Sequence, residues 1–170
     1  KSTNVFGICF QIPKTGLSVG NKMKNITLFM LIGLPGSGKT TYIQENLKNL
    51  FVISKDEIRK QVFRKDYDQA NEILISRISQ HICDKLVENN ISFVLDETHL
   101  TKERRKKIID RYKDKTKINA IYLPISKNLC LERRKNIPIT IINDIINRFE
   151  IPKIEERFDI LITINSWEKE

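Results

Sequence analysis

The stretch Ile26–Thr40, ITLFMLIGLPGSGKT, decides the fold. Its first seven residues are almost all apolar and predict a buried strand, and a helix is predicted from Lys39 to Leu50. The intervening turn matches the pattern G-x-x-x-x-G-K-[ST], in which glycines let successive backbone N–H groups point at a phosphate. A strand, this turn and a helix in that order indicate a phosphate-binding loop rather than a chance glycine-rich turn.

The loop predicts a site for the phosphates of a nucleoside triphosphate, for which ATP is the expected donor. The helix that starts near Lys39 adds its positive end to the anion site. Lys39 is predicted to pair with the β- and γ-phosphates, and the Thr40 hydroxyl to bind Mg²⁺. The predicted nucleotide-binding residues of the loop are Gly33, Pro35, Gly36, Ser37, Gly38, Lys39, Thr40 and Thr41.

Strand and helix signals alternate along the rest of the chain. In Asp68–Glu88, for example, apolar residues recur at three- and four-residue spacing. Near-continuous apolar strands alternating with helices predict an α/β fold, with a parallel five-stranded sheet flanked by helices on both faces. The further predicted strands are Phe51–Ser54, Ile91–Asp96, Ile118–Pro124 and Asp159–Ile164, and the further helices are Asp56–Phe63, Asp68–Glu88, Thr101–Lys115, Lys127–Asn136 and Ile139–Glu150.

Composition fits one cytoplasmic domain. The chain has 170 residues, 40% of them hydrophobic and 30% charged, and no apolar run approaches the roughly 20 residues of a membrane-spanning helix. Its three cysteines form no CxxC pair, so neither a disulfide framework nor a zinc site is expected. Residues 1–24 lack helical or strand periodicity and are expected to be a flexible leader or appendage to a domain at 25–170, with Met23 as a candidate natural start.

The charge distribution offers two interpretations. The formal net charge is +9, and Lys102–Lys117 alone holds nine basic and three acidic residues. A local basic surface suits a polyanionic partner such as nucleic acid. The alternative is a lysine-rich helix face that is simply solvated.

Two acidic residues follow strands, at the edge where open α/β sheets place their chemistry. Asp96 ends one strand and is suited to hold a Mg²⁺-bound water or to orient a phosphate-binding side chain. The alternative is that Asp96 and Thr98 cap the next helix. Asp56 follows Phe51–Ser54 and is suited to accept the proton of an attacking hydroxyl, while Arg59, on the same helix face, grips a neighbouring phosphate.

The alternatives for this second acidic element are structural. Ser54-Lys55-Asp56-Glu57 fits a capping box, in which Ser54 and Glu57 would cap the helix and leave Asp56 available. Asp56 and Arg59 also fit an ordinary surface ion pair.

Several motifs together resemble those of the phage-type polynucleotide 5′-kinases and their wider family of small AAA-type P-loop kinases. The resemblance covers about residues 26–164. The matching segments are the D-D/E-x-x-R-like Ser54–Arg59, the D-x-T-N-L-x-x-E-R-R-like Asp96–Arg105, the C-L-E-R-N-like Cys130–Arg134, the R-F-E-x-P-like Arg148–Pro152 and the E-G-F-D-like Glu156–Asp159.

The resemblance implies a P-loop kinase fold with a short helical lid, the cofactors ATP and Mg²⁺, and a nucleic-acid 5′ end as acceptor. Asp56 would be the general base on a 5′-hydroxyl, and Arg59 would contact the adjacent phosphate. Lys39 and the lid residue Arg133 would stabilise the transferred phosphoryl group. Arg134 would help to bind the nucleotide, and Asp96, Thr98 and His99 would contact the substrate.

The sequence departs from the family pattern at two places. His99 stands where the family often has Asn, and its ring nitrogen can still offer a hydrogen bond. Polynucleotide kinases tend to carry a further lid arginine one turn after the first, where this chain has Lys135, Asn136 and Ile137. Lys135 is a weaker, non-bidentate substitute.

The sequence therefore favours an ATP-dependent polynucleotide 5′-hydroxyl kinase over two alternatives. One is a small-molecule kinase on the same scaffold, like the zeta-toxin-like nucleotide-sugar kinases and the antibiotic or sugar kinases. The other is a nucleotide-switch ATPase. No D-x-x-G follows Asp96 and no N-K-x-D follows a later strand, which argues against a GTPase.

Overall fold

The computed structural model describes residues 2–3, 8–11, 26–64, 69–134 and 137–165. The strands are β1 (Ser2–Thr3), β2 (Ile8–Gln11), β3 (Thr27–Ile32), β4 (Phe51–Ser54), β5 (Phe93–Asp96), β6 (Lys117–Tyr122) and β7 (Ile160–Ile164). The helices are α1 (Lys39–Asn46), α2 (Lys55–Phe63), α3 (Glu72–Glu88), α4 (Lys102–Tyr112), α5 (Lys127–Arg133) and α6 (Ile139–Arg148).

The strands form one sheet in the order β1-β2-β7-β6-β3-β5-β4. Strands β4, β5, β3, β6 and β7 are mutually parallel, which confirms the predicted five-stranded parallel arrangement. The phosphate loop leaves β3, the middle strand of these five, with β5 and β6 on either side. The carboxyl ends of three neighbouring strands therefore surround the loop.

The faces of β3 explain why helices cover both sides of the sheet. Leu28, Met30 and Ile32 are fully buried in one core cluster with side chains of α2, α3 and α4. Leu31 faces the other way, into a cluster with Ile43 of α1. A fully buried aliphatic side chain stabilises the fold by roughly 1.5–3 kcal/mol. The pairing register, with Leu31 opposite Asp96 of β5 and Ile121 of β6, sets the position of the loop.

Helices α5 and α6 form the predicted short lid. The Ser126 hydroxyl accepts a hydrogen bond from the Leu129 amide at 3.2 Å and so caps the start of α5. A small core cluster then joins buried Cys130 of α5 and Ile142 of α6 to Leu34 of the phosphate loop. The lid is therefore packed directly on the loop.

The first 24 residues contain two strands that the sequence pattern did not indicate. The backbone of β2 pairs antiparallel with β7, with Ile8 opposite Ile164, and β1 pairs with β2. These strands extend the parallel sheet beyond β7. The pairing joins segments at opposite ends of the chain, and local periodicity carries no signal for it. The remainder of 1–24 lies outside the described residues.

The helix ends differ slightly from prediction. Helix α1 stops at Asn46 rather than Leu50, because the chain turns after Leu47 and the Leu50 amide donates to the Leu47 carbonyl at 3.0 Å.

Over the described ranges, none of the helices combines the length and apolar character needed to cross a membrane.

Candidate functional site

The loop between β3 and α1 has the backbone conformation that its glycines predict. Gly36 and Gly38 have φ values of 81° and 87°, in the left-handed region that favours glycine. Gly33 is required for a different reason, since a Cβ there would lie 2.7 Å from the Leu123 carbonyl oxygen. The Gly33 amide donates to the Thr98 carbonyl at 3.3 Å, which ties the loop to the segment after β5.

Lys39 places its ammonium group within the curve of the loop. The Nζ atom donates to the carbonyls of Gly33 at 2.9 Å and Leu34 at 3.0 Å. Burial lowers the pKa of Lys39 to about 8, a shift that the negative charge of Asp96 partly offsets and the positive charge of Arg134 reinforces. The ammonium is still mainly charged at pH 7, so the loop holds a buried cation.

Thr40 and Asp96 meet at the carboxyl end of β5. The Thr40 hydroxyl donates to Asp96 Oδ2 at 3.1 Å. Burial raises the pKa of the Asp96 carboxyl, while Lys39 and the Thr40 hydroxyl oppose that shift. A hydroxyl and a carboxylate oxygen side by side are hard ligands of the kind Mg²⁺ takes alongside water and phosphate oxygens. The chemistry of this donor pair therefore fits Mg²⁺. Asp96 caps no helix, because α4 begins at a cap formed by Thr101.

The lid closes one side of the loop. Arg133 Nη1 donates to the Gly36 carbonyl at 3.1 Å, and the Cys130 thiol donates to the Pro35 carbonyl at 3.1 Å. Ser37, a predicted nucleotide-binding residue, is buried and does not line the cavity between loop and lid. A cavity of about 370 Å³ lies between loop and lid, and the residues that line it are Gly36, Gly38, Lys39, Thr40, Thr41, Arg133 and Arg134.

A larger cavity, of about 640 Å³, lies at the other end of the sheet. It is lined by Ile26 at the start of the β3 segment and by Tyr112 at the end of α4, among others. None of the predicted site residues lines it, and its main charges, Asp84 and Arg111, are paired with each other at 2.6 Å. The smaller cavity is the candidate site because it contains the phosphate loop.

Asp56 lies in the first turn of α2, directly after β4, and its charge acts on both Lys39 and Asp96. Its side chain is 80% exposed and accepts a hydrogen bond from Arg59 Nη1. Arg59 also donates from Nε and Nη2 to the two carboxylate oxygens of Glu72, at 2.6 and 2.8 Å. Sequence reasoning missed Glu72, because it lies 13 residues from Arg59 and on another helix.

The predicted capping box at the start of α2 is wrong. Ser54 is the N-cap residue, but its side chain makes no capping hydrogen bond. Glu57 instead pairs with Lys60 at 2.8 Å, one turn further along the helix. The surface-pair interpretation of Asp56 and Arg59 is consistent with the structure, although Glu72 makes it a three-residue network.

His99 is placed differently from the predicted substrate contact. Its side chain is buried, and its backbone has a φ of 47°. The ring donates from Nδ1 to the Leu31 carbonyl at 2.5 Å, and burial lowers the His99 pKa. The buried imidazole therefore links the segment after β5 to the backbone of β3. Thr98 also contributes through its backbone, because its carbonyl accepts the hydrogen bond from the Gly33 amide.

Arg105, the last residue of the D-x-T-N-L-x-x-E-R-R-like segment, is completely buried. Its Nε and Nη2 atoms donate to Glu156 at 2.7 and 2.8 Å, and Nη1 donates to the carbonyls of His99 and Glu150, each at 2.9 Å. This bidentate pair fixes the turn after β5 against the C-terminal segment. Two separate family-like motifs are thus joined by one ion pair.

The basic segment Lys102–Lys117 is partly neutralised by neighbouring carboxylates, which pair with five of its nine cations in the described part of the chain. Besides buried Arg105, four of its cations form surface ion pairs within the described part of the chain. These pairs are Lys106–Asp110, Lys107–Glu103, Arg111–Asp84 and Lys113–Asp159. The structure therefore favours the solvated helix face over a strongly basic binding surface here.

Comparison with known proteins places the chain in a family. A family model described as an AAA domain matches residues 28–136, more than half of the chain. The chain belongs to this AAA-domain family. The matched part of the AAA domain runs from β3 to the end of the lid helix α5, so it includes the phosphate loop, Asp56, Asp96 and Arg133. No curated protein matches the chain significantly.

Solved structures with the same fold include kinases. A chain of the Pnkp1/Rnl/Hen1 RNA repair complex is similar with a TM-score of 0.71 and 18% identity. The match covers 85% of this chain and 50% of the chain in that complex. Kti12 of Chaetomium thermophilum, in complex with ADP-AlF3, is similar with a TM-score of 0.61 and 20% identity. The match covers 84% of this chain and 90% of Kti12. A gluconokinase from Sinorhizobium meliloti is similar with a TM-score of 0.55 and 16% identity. The match covers 85% of this chain and 86% of the gluconokinase.

These similarities confirm the small P-loop kinase fold that the motifs predicted. The chain spans about half the length of its counterparts in the two solved structures of the Pnkp1/Rnl/Hen1 complex. At these identities the likeness shows the fold alone.

Proposed function

We propose that this AAA domain is an ATP-dependent kinase that transfers the γ-phosphoryl group to a 5′-hydroxyl end of DNA or RNA. The single observation that carries the proposal is the position of Asp56, an exposed carboxylate at the same sheet edge as the phosphate loop. A nucleotide switch needs no such group, whereas phosphoryl transfer to an alcohol needs a proton acceptor.

The donor half of the site is formed by the loop and the lid. The loop amides and the Lys39 ammonium would bind the β- and γ-phosphates, and Arg133 and Arg134 would face them from α5. Thr40 would hold Mg²⁺, with Asp96 orienting the hydroxyl or a water on the ion. Bound Mg²⁺ would neutralise the negative charge that develops on the phosphate oxygens.

The acceptor half is formed by Asp56 and Arg59. The acceptor hydroxyl oxygen would form a bond to the γ-phosphorus while the bond from that phosphorus to the bridging β–γ oxygen breaks and ADP leaves. Asp56 would accept the hydroxyl proton. Arg59 would bind the phosphate next to the 5′-nucleoside, a group that any nucleic-acid end longer than one nucleotide carries.

The exposure of Asp56 supports a polymer end as the acceptor. The 80% exposed side chain of Asp56 stands at an open edge, which leaves room for a chain that continues into solvent. The fold similarity to a protein of an RNA repair complex is consistent with this acceptor class.

A second candidate is a small-molecule kinase. The observation that favours it is the internal pairing of the cations on α4, which removes much of the charge that would attract nucleic acid. The fold similarity to a gluconokinase is consistent with this class.

A competition experiment separates the two candidates. Purified protein is supplied with labelled ATP, Mg²⁺, a 5′-hydroxyl oligonucleotide and a panel of sugars, nucleotide sugars and aminoglycosides. Labelling of the oligonucleotide with a kcat/KM above that of every metabolite supports the polynucleotide proposal. Labelling of a metabolite alone contradicts it and supports the second candidate.

A further inference from the structure

We propose that Glu72 is a positioning residue for the acceptor site: it holds the Arg59 guanidinium, and through it the Asp56 carboxylate, in the geometry that transfer requires. The inference rests on the proposed function, because it concerns the same site. Glu72 would touch neither substrate. It would act through Arg59.

The first argument is the geometry of the guanidinium. Glu72 accepts from Nε and Nη2 with its two carboxylate oxygens, at 2.6 and 2.8 Å. A guanidinium is planar and rigid, so a bidentate partner along one edge fixes the direction of the opposite nitrogen. That opposite nitrogen is Nη1, which donates to Asp56. The orientation of the exposed carboxylate is therefore determined from the far side of the arginine.

The second argument is the contrast in side-chain exposure between Asp56 and its two partners in the network. Side-chain exposure is 80% for Asp56, 13% for Arg59 and 25% for Glu72. An exposed aspartate in the first turn of a helix has several rotamers open to it, and a partner that is itself mobile would not select among them. Arg59 can select one because it is mostly buried and is held by Glu72. The hydrogen bond to Glu72 is also the largest cause of the raised pKa of Arg59.

The third argument is the position of Glu72 on α3. It is the first residue of that helix, where the positive end of the helix favours a carboxylate. The side chain bridges back to α2, so the network links the two helices that follow β4. The acceptor half is thus anchored to α3, a 17-residue helix whose inner face lies in the main core.

Steady-state kinetics on Glu72 variants test the proposal first. Glu72→Gln keeps the size of the side chain but cannot accept two charge-assisted hydrogen bonds. It should lower kcat/KM for the 5′-hydroxyl acceptor roughly 10- to 100-fold, because small misplacements of reacting groups have effects of that size. The Kd for ATP should stay within about twofold, because Glu72 is not in the donor half. Glu72→Asp keeps the charge and should recover part of the lost rate.

Two further variants separate positioning from stability. Glu88→Gln removes a carboxylate from a surface ion pair at the other end of α3, and it should leave all parameters unchanged. In an Arg59→Ala background, Glu72→Gln should have little further effect, because its action passes through the arginine. A purely structural role would instead give additive losses and would lower ATP affinity and thermal stability in parallel.

Three outcomes are decisive. Loss in Glu72→Gln, partial rescue by Glu72→Asp and non-additivity with Arg59→Ala support the inference. An active wild-type protein whose Glu72→Gln variant keeps kcat/KM within about twofold, or whose losses are additive, overturns the inference alone. A wild-type protein that transfers no phosphate to the 5′-hydroxyl oligonucleotide overturns the proposed function, and this inference with it.

Discussion

Replacing Lys39 with Met should stabilise the protein at neutral pH although it removes the central cation of the phosphate loop. The pKa of Lys39 is about 8 in the folded protein against an ordinary 10.5. At about 1.4 kcal/mol per pKa unit, keeping the buried ammonium charged costs about 3 kcal/mol. Met removes that cost but leaves the carbonyls of Gly33 and Leu34 without their donor, which costs roughly 1–2 kcal/mol. The expected net gain in the free energy of unfolding at pH 7 is about 1–2 kcal/mol.

The pH dependence gives the sharper test. Below pH 8 Lys39 is protonated in both states, and the folded protein bears the full cost. Between pH 8 and 10.5 the unfolded chain keeps a proton that the folded protein has released, so wild-type stability rises relative to that of the Met variant. Urea unfolding at pH 7 and pH 10 should show the stability difference moving by about 2–3 kcal/mol toward wild type, so that wild type equals or exceeds the variant at pH 10. Exposed Lys107→Met serves as the control. A difference that is the same at both pH values would refute the reasoning.

Three other predictions follow from the same contacts. ATP affinity should fall as pH rises through about 8, because Lys39 loses its charge there; calorimetric titration from pH 7 to 9.5 measures this, and a flat profile contradicts it. Gly36→Ala should weaken ATP binding about tenfold, because φ is 81° and the new Cβ would lie 3.2 Å from Arg133 Cβ; equal Kd values contradict it. Arg105→Met should lower the free energy of unfolding by about 3–5 kcal/mol, because it leaves buried Glu156 unpaired; a loss under 1 kcal/mol in urea unfolding contradicts it.

The donor half of the site could be read from the sequence because its determinants are local. The motif Gly33–Thr40 fixes its own backbone, and an apolar strand followed by a helix places it at the edge of the sheet. Asp56 and Asp96 were found by the same rule, since each follows a strand. That rule needs only the order of elements along the chain and the parallel pairing they imply.

What the sequence could not give are contacts between distant segments. The pairing of Arg59 with Glu72 and that of Arg105 with Glu156 each join different elements, and neither spacing has a periodicity that signals it. The ion pairs of Asp84 with Arg111 and of Asp159 with Lys113 likewise join segments that are distant in the sequence. The basic segment therefore looked more highly charged in the sequence than it is in the folded protein. His99 was expected at the substrate because it stands where the resembled family often has Asn, whereas its ring is buried and bonded to the Leu31 carbonyl.

Single-turnover transfer of labelled γ-phosphate tests the central claim most directly. Wild-type protein and an Asp56→Asn variant are each mixed with ATP, Mg²⁺ and either a 5′-hydroxyl oligonucleotide or the same oligonucleotide already bearing a 5′-phosphate. The account predicts that wild type labels only the 5′-hydroxyl substrate, and that Asp56→Asn is slower by about 10²- to 10⁴-fold with a Kd for ATP within about twofold. Labelling that is independent of the 5′ group, or near-full activity in Asp56→Asn, would contradict the account.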